Sequence, residues 1–302
     1  PDWVEGVEVE AAFHPVESDA EGGAMINVIP RRGANQSSGE LIFLGTGGQL
    51  TDSLWSQDEI SRMGNAPAIK DKYNLNFSLN LGGPIMPDRV WYFTSFQFDQ
   101  RSKNTPFSPW RDPTGLIYPM YSWKNKDSSL LVHLSSQITP EINASIFLNY
   151  GKNKQNVDPA LVSPRTPESA TTSLSQSLFL INGFGHYVLD PETKINLFFF
   201  YTRNKTGRGL KSEAASKPRY IDTVSGYTWG SGPYNQDITG DVFRVGVSAT
   251  RYQSFLNLQH ELVAGAEYEN STATFSTWKE DNLIYYYANG SPYYYGQALS
   301  PE

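Results

Sequence analysis

Any chemistry in this chain must come from carboxylates, amides, aromatic rings and four histidines, because its 302 residues include no cysteine. That absence removes disulfides, thiolate metal sites and cysteine nucleophiles together. His14, His133, His186 and His260 are scattered without ligand spacing, so no metal site is expected. Glu267 and Glu269 form a carboxylate pair two residues apart, a spacing that strand alternation produces by itself. No nucleophile elbow, phosphate loop or His-linked catalytic set occurs, so neither an enzyme nor a cofactor is expected. Binding chemistry remains. The rings of Trp55, Trp110, Trp123, Trp229, Tyr286 and Tyr294 fall outside the clearest periodic segments and could stack on a glycan or peptide. The competing reading packs them against one another. The acidic cluster Glu5, Glu8, Glu10, Glu17, Asp19 and Glu21 reads as a solvated surface.

The elements that would hold these residues are strands. Aromatic residues make up 14% of the chain and charged residues 18%, the latter below the usual share of about 25%. Mean hydropathy is −0.45, and no run is apolar enough for a spanning helix. A spanning barrel escapes that test, since only alternate residues face lipid. A net charge of −7 and an isoelectric point near 5.2 leave no basic stripe for nucleic acid.

Alternation is strict in several segments. Tyr73, Leu75, Phe77, Leu79 and Leu81 oppose Asn74, Asn76, Ser78 and Asn80. The pattern recurs over residues 141–150, 241–250 and 260–269, and further strands are expected over 39–46, 90–99, 129–137, 174–188 and 193–203. That gives about nine. The connections alternate in length: tight turns with proline at 83–89, 138–140 and 190–192, against long stretches at 47–72, 101–128, 152–173 and 206–240. Long unstructured loops are rare in compact soluble domains, whereas short turns at one end and long loops at the other are typical of an outer-membrane barrel. The fold expected is all-β: part of an up-and-down antiparallel transmembrane β-barrel with short periplasmic turns and long extracellular loops. Two short strands, over 4–10 and 23–30, precede it as a smaller unit.

Glu21-Gly22-Gly23-Ala24-Met25-Ile26-Asn27-Val28-Ile29-Pro30-Arg31-Arg32-Gly33-Ala34-Asn35-Gln36, with Ser38-Gly39-Glu40-Leu41 just after it, resembles the plug-to-barrel junction of TonB-dependent receptors. Leu81-Gly82-Gly83-Pro84-Ile85 with Asp88-Arg89-Val90-Trp91-Tyr92-Phe93 resembles the first periplasmic hairpin of the Oar-like branch, whose members often carry a carboxypeptidase-regulatory-like domain. His260 to Glu269 is similar to a later barrel strand. The resemblance implies a fragment, with residues 1–36 ending the plug and residues 37–302 forming the first nine or so strands of a barrel of about 22. It further implies energised transport of a siderophore, oligosaccharide or peptide across the bacterial outer membrane. The partners would be outer-membrane lipid, the TonB–ExbB–ExbD complex through a segment N-terminal to this one, and a small or oligomeric extracellular ligand. Arg31 and Arg32, inside such a barrel, are expected to meet lumenal Glu267 and Glu269. Two competitors are a secreted all-β carbohydrate-binding module using the loop Trp and Tyr residues, and an outer-membrane hydrolase, for which His133 and His260 lack an obvious serine partner.

Overall fold

A computed structural model describes residues 4–10, 25–48, 71–104, 110–119, 121–163, 165–255, 258–279 and 283–297. The strands in chain order are β1 (Val4–Glu10), β2 (Met25–Pro30), β3 (Ser38–Gly47), β4 (Asp71–Met86), β5 (Val90–Asn104), β6 (Trp110–Arg111), β7 (Ile117–Tyr118), β8 (Ser122–Thr139), β9 (Ile142–Gln155), β10 (Thr172–Asp190), β11 (Thr193–Leu210), β12 (Arg219–Asp222), β13 (Thr228–Gly230), β14 (Asn235–Phe255), β15 (Leu258–Trp278), β16 (Leu283–Ala288) and β17 (Ser291–Gln297). Nine of them form one sheet in the order β15-β14-β11-β10-β9-β8-β5-β4-β3, every neighbour antiparallel. All nine expected strands are present, and each long strand lies beside its sequence neighbours. The sheet is open, with β3 and β15 at its edges.

Register sorts the side chains into two faces. Leu41, Leu79, Phe96, Leu130, Tyr150, Phe179, Arg203 and Asp241 succeed one another across the pairs from β3 to β14. One pair lower run Leu81, Thr94, Val132, Leu148, Ile181, Tyr201 and Phe243. This face is apolar and open to its surroundings: Phe43, Leu197 and Tyr268 are 68%, 55% and 59% exposed. The opposite face buries Ser78, Asn80, Ser95, His133, Thr202 and Thr250. A soluble domain does the reverse; apolar residues outside and polar ones inside suit a wall between lipid and a wet lumen. The polar face is concave, since one cavity of about 900 Å³ is bordered by residues from Leu44 on β3 round to Asn204 on β11.

Among the described residues, three turns close hairpins at one end, at 87–89, 140–141 and 191–192. Each also bonds to the next strand, through Gln137 N–H to Arg89 O at 2.8 Å, Val188 N–H to Glu141 O at 2.9 Å and Tyr252 N–H to Glu192 O at 2.8 Å. At the other end a separate sheet, β13-β12-β16-β17, is built from loop residues. β1 and β2 pair antiparallel, with Val7 opposite Val28 and Val9 opposite Ile26.

The expected strand ends need correction. β4 runs to Met86 with a register shift between Pro84 and Met86, so residues 83–86 belong to the strand and the turn shrinks to 87–89. At the loop end β5 reaches Asn104, β8 begins at Ser122, β9 reaches Gln155, β11 reaches Leu210 and β14 begins at Asn235. Backbone pairing continues there after the apolar alternation has stopped.

Candidate functional site

The segment leaving β2 lies against the concave face near the turn end. His133, 4% exposed on β8, bonds through Nδ1 to the Arg31 carbonyl oxygen at 2.9 Å. Asn35 is bound three ways: its Oδ1 accepts from Trp91 Nε1 at 2.7 Å and from Asp88 N–H at 2.9 Å, and its amide donates to Asp88 Oδ1. Asp88 has a φ of +62°, so Asn35 also secures a left-handed turn residue. Gly33 sits where a Cβ would lie 2.3 Å from the Tyr92 carbonyl oxygen, so this approach admits no side chain. Beside the segment is a cavity of about 650 Å³, bordered by Arg32, Ala34, Ser135, Gln137, Asn143 and His186.

Higher on the same face, towards the loops, the wall is lined with amides. Asn76, Gln97, Asp99, Arg101, Asp127, Asn153, Gln176 and Asn204 border the larger cavity. Trp123 Nε1 donates to Gln155 Oε1 at 3.1 Å, Gln155 Nε2 to Asn153 Oδ1 at 3.0 Å, and Asn153 Nδ2 to Asn125 Oδ1 at 2.7 Å. Asn153 and Asn125 both donate to the Asp127 carboxylate. Every donor in this chain points towards Asp127, so the bonds polarise one another in one direction. Asp99 takes Arg101 at 2.8 Å and Asn76 at 3.5 Å. Asp99 is thereby paired with a cation, whereas Asp127 is held by amides.

The loop sheet is held by rings. Tyr220 stacks on Trp229 at 5.4 Å and 14°, and on Tyr285 at 5.5 Å and 24°. Tyr286 stacks on Tyr294 at 4.5 Å and 5°. Asp222 ties the two halves together by accepting from the amides of Val224, Ser225 and Gly290, the last at 2.7 Å. The Ser225 amide, over the opposing effect of burial, and then the Gly290 and Val224 amides hold its carboxyl below the usual range. Asp112 acts similarly: burial pushes its pKa up, but bonds from Thr114, Leu116 and Tyr118 outweigh that and lower it.

The residues singled out in the sequence are distributed unevenly. Trp55 lies outside the described residues. Trp110 pairs with Tyr118 in β6–β7. Trp229 is 2% exposed, its ring buried against Tyr220 and Tyr287. Tyr286 is covered by Tyr294, which is half exposed. Trp123 belongs to the Asp127 network. The structure does not bring Arg31 to Glu267 or Glu269. Arg31 lies 3.8 Å from Glu40, while Glu267 and Glu269 both hold Arg244 of the adjoining strand, at 2.5 and 3.2 Å. Strand pairing supplies that partner directly: Arg244 is opposite Glu269 and two residues from the partner of Glu267. Arg32 borders the smaller cavity. Sequence reasoning missed Asn35, His133 and the Asn125–Asp127–Asn153–Gln155 set. The uncharged Asn and Ser faces were the available signal, but alternation cannot say which polar residues on a face bond one another.

No protein-family model matches the chain, and no curated protein matches it. Solved structures do. The outer-membrane transporter YddB of Escherichia coli matches over 97% of this chain and 38% of its own, with 12% identity and a TM-score of 0.68. The ferripyoverdine receptor of the outer membrane of Pseudomonas aeruginosa, bound to ferripyoverdine, matches over 91% of this chain and 33% of its own, with 14% identity and a TM-score of 0.58. The chain thus spans somewhat over a third of the length of the first and a third of the second, and what it shares with them is the fold.

Proposed function

We propose that the chain is the end of the plug, residues 1–36, and the first part of the barrel, residues 37–302, of a TonB-dependent receptor in the bacterial outer membrane, of the Oar-like branch. The observation that carries the reading is the docking of residues 31–37 on the polar concave face of a sheet whose convex face is apolar. A plug that is pulled open needs such a tether: chain that stays on the wall while the folded part ahead of it moves.

In this reading the loops capture a siderophore, oligosaccharide or peptide, with Trp110, Trp123 and Tyr294 as contact residues. The amide-lined cavity gives the ligand a path past Asp127 and Asp99. The TonB–ExbB–ExbD complex supplies the pull through a segment N-terminal to this one. Trp229 and Tyr286 hold the loop sheet together.

The reading is tested by fractionating cells that make the full-length protein. It should sediment with outer membranes, need detergent for extraction and migrate faster in SDS gels unheated than boiled. Recovery in aqueous buffer without detergent contradicts it.

A further inference from the structure

Three strand ends meet at the loop side of the sheet, and their side chains form a set that borders neither cavity. Asn156 follows β9, Lys211 follows β11, and Glu168 opens the short 3-10 turn Glu168–Ala170 that leads into β10, the strand between them. Glu168 Oε1 accepts from Asn156 Nδ2 at 3.1 Å and from Lys211 Nζ at 3.4 Å. Lys211 Nζ also donates to the backbone carbonyl oxygen of Asn156. One carboxylate oxygen therefore serves a primary amine and a primary amide together, and the amine is anchored on the residue that carries the amide.

The Asn156 amide is clamped. Its Oδ1 accepts from the Lys124 N–H at 2.6 Å, its Nδ2 donates to the Ser122 carbonyl oxygen at 2.7 Å as well as to Glu168, and its own N–H donates to the Lys124 carbonyl oxygen at 3.2 Å. Glu168 is fixed by its turn, since the Thr171 amide and hydroxyl both donate to its carbonyl oxygen, at 3.1 and 2.6 Å. Neighbouring residues Val157, Ala170, Thr171 and Ala214 are fully buried. The Lys211 side chain is 12% exposed, whereas that of Glu168 keeps 40%. An ion pair requires only the amine and the carboxylate. Here an immobilised amide is added, with its oxygen on a backbone donor and its nitrogen on the same carboxylate. That is an arrangement for acyl transfer, with nucleophile, base, oxyanion donor and leaving group in place.

We propose that Lys211 and Asn156 join through a side-chain isopeptide bond whose formation Glu168 drives. Glu168 takes a proton from Lys211 Nζ, and the freed lone pair attacks Asn156 Cγ. The negative charge that develops on Oδ1 is held by the Lys124 N–H. Glu168 passes its proton to Nδ2, a second proton follows from Nζ through the same carboxylate, and the Cγ–Nδ2 bond breaks. The lysine ammonium and the asparagine amide become a secondary amide and an ammonium ion. One C–N bond forms, one breaks, and nothing is oxidised or reduced. The exposed edge of Glu168 gives the ammonium ion its way out. Folding holds the two partners in contact, and that replaces the encounter an unreactive amide would otherwise need. The link spans 55 positions and bridges the start of β10. It constrains the unfolded chain as a disulfide does, in residues that include no cysteine.

The test is a tryptic mass map of the full-length protein purified from cells. Trypsin does not cut at a linked lysine, so peptide 155–165 should appear joined to peptide 209–219. The pair should be lighter than the sum of the two by one ammonia, with fragment ions that place the bond at Asn156 and Lys211. Lys211→Arg keeps a cation beside Glu168 but offers no free amine, and Glu168→Gln removes the base. Both variants should yield peptide 155–165 unlinked. Wild type in which that peptide is found only unlinked overturns the proposal, and it does so whether or not a variant folds. Glu168→Gln protein linked as fully as wild type overturns it too, because the carboxylate would then have no part in the reaction. None of these outcomes bears on the membrane reading, which fractionation tests separately.

Discussion

Gly33 and His133 hold the segment that follows β2 at single atoms. A Cβ at Gly33 meets backbone rather than a movable side chain, with the Tyr92 oxygen at 2.3 Å and its carbonyl carbon at 2.9 Å. Gly33→Ala must therefore lift the segment from β5. Overpacking of this kind costs about 1–3 kcal/mol, so amide exchange across residues 31–37 should accelerate about tenfold, the equivalent of ~1.4 kcal/mol, while β8 and β9 keep their protection. Unchanged exchange would mean that the segment is not held there. Asp222 gives a pH prediction at the same scale. Its folded pKa is depressed, so its contribution is complete above the unfolded value and is lost as pH falls through the folded one. The amides of Val224, Ser225 and Gly290 should stay protected down to the ordinary value of 3.8 and lose protection only below it. Loss of protection near pH 5 would contradict the assignment.

At the scale of elements, the sequence located every long strand and misplaced most of their ends. Apolar alternation records only the stretch of a strand whose outer face is apolar, and it stops at Tyr150 on β9 although pairing continues to Gln155. The five residues beyond it, Gly151 and four polar ones, pair with β8 and β10 through backbone and amide bonds that leave no hydrophobic period. The loop sheet was hidden for another reason: β12 pairs parallel with β16 across more than sixty residues, a contact no local pattern announces. The ion pairs obey the same rule, since Arg244 meets Glu267 and Glu269 through β14–β15 register. Replacing it should leave two carboxylates facing each other on β15. Arg244→Met should lower stability to urea by about 0.2–1 kcal/mol, the range for exposed pairs, and adding Glu267→Gln should restore part of the loss. An additive effect in the double variant would show that the three residues do not interact.

The whole molecule is organised by one inversion: apolar side chains outside, polar side chains within. That much was legible in the sequence, because a period of two with a polar, uncharged second face has few other homes. The docking of residues 31–35 and the Asp127 network were not legible, since both join residues far apart in the sequence. The inversion can be read one residue at a time on β9, and the absence of cysteine from these 302 residues makes the measurement clean. Single cysteines at Ile146, Phe147, Leu148, Asn149 and Tyr150 in the full-length protein, with any cysteine outside this segment replaced by serine, are reacted in vesicles with a water-soluble maleimide. Phe147→Cys and Asn149→Cys should label readily, while Ile146→Cys, Leu148→Cys and Tyr150→Cys resist labelling until the membrane is dissolved. Uniform labelling along β9, or the opposite alternation, would contradict the account.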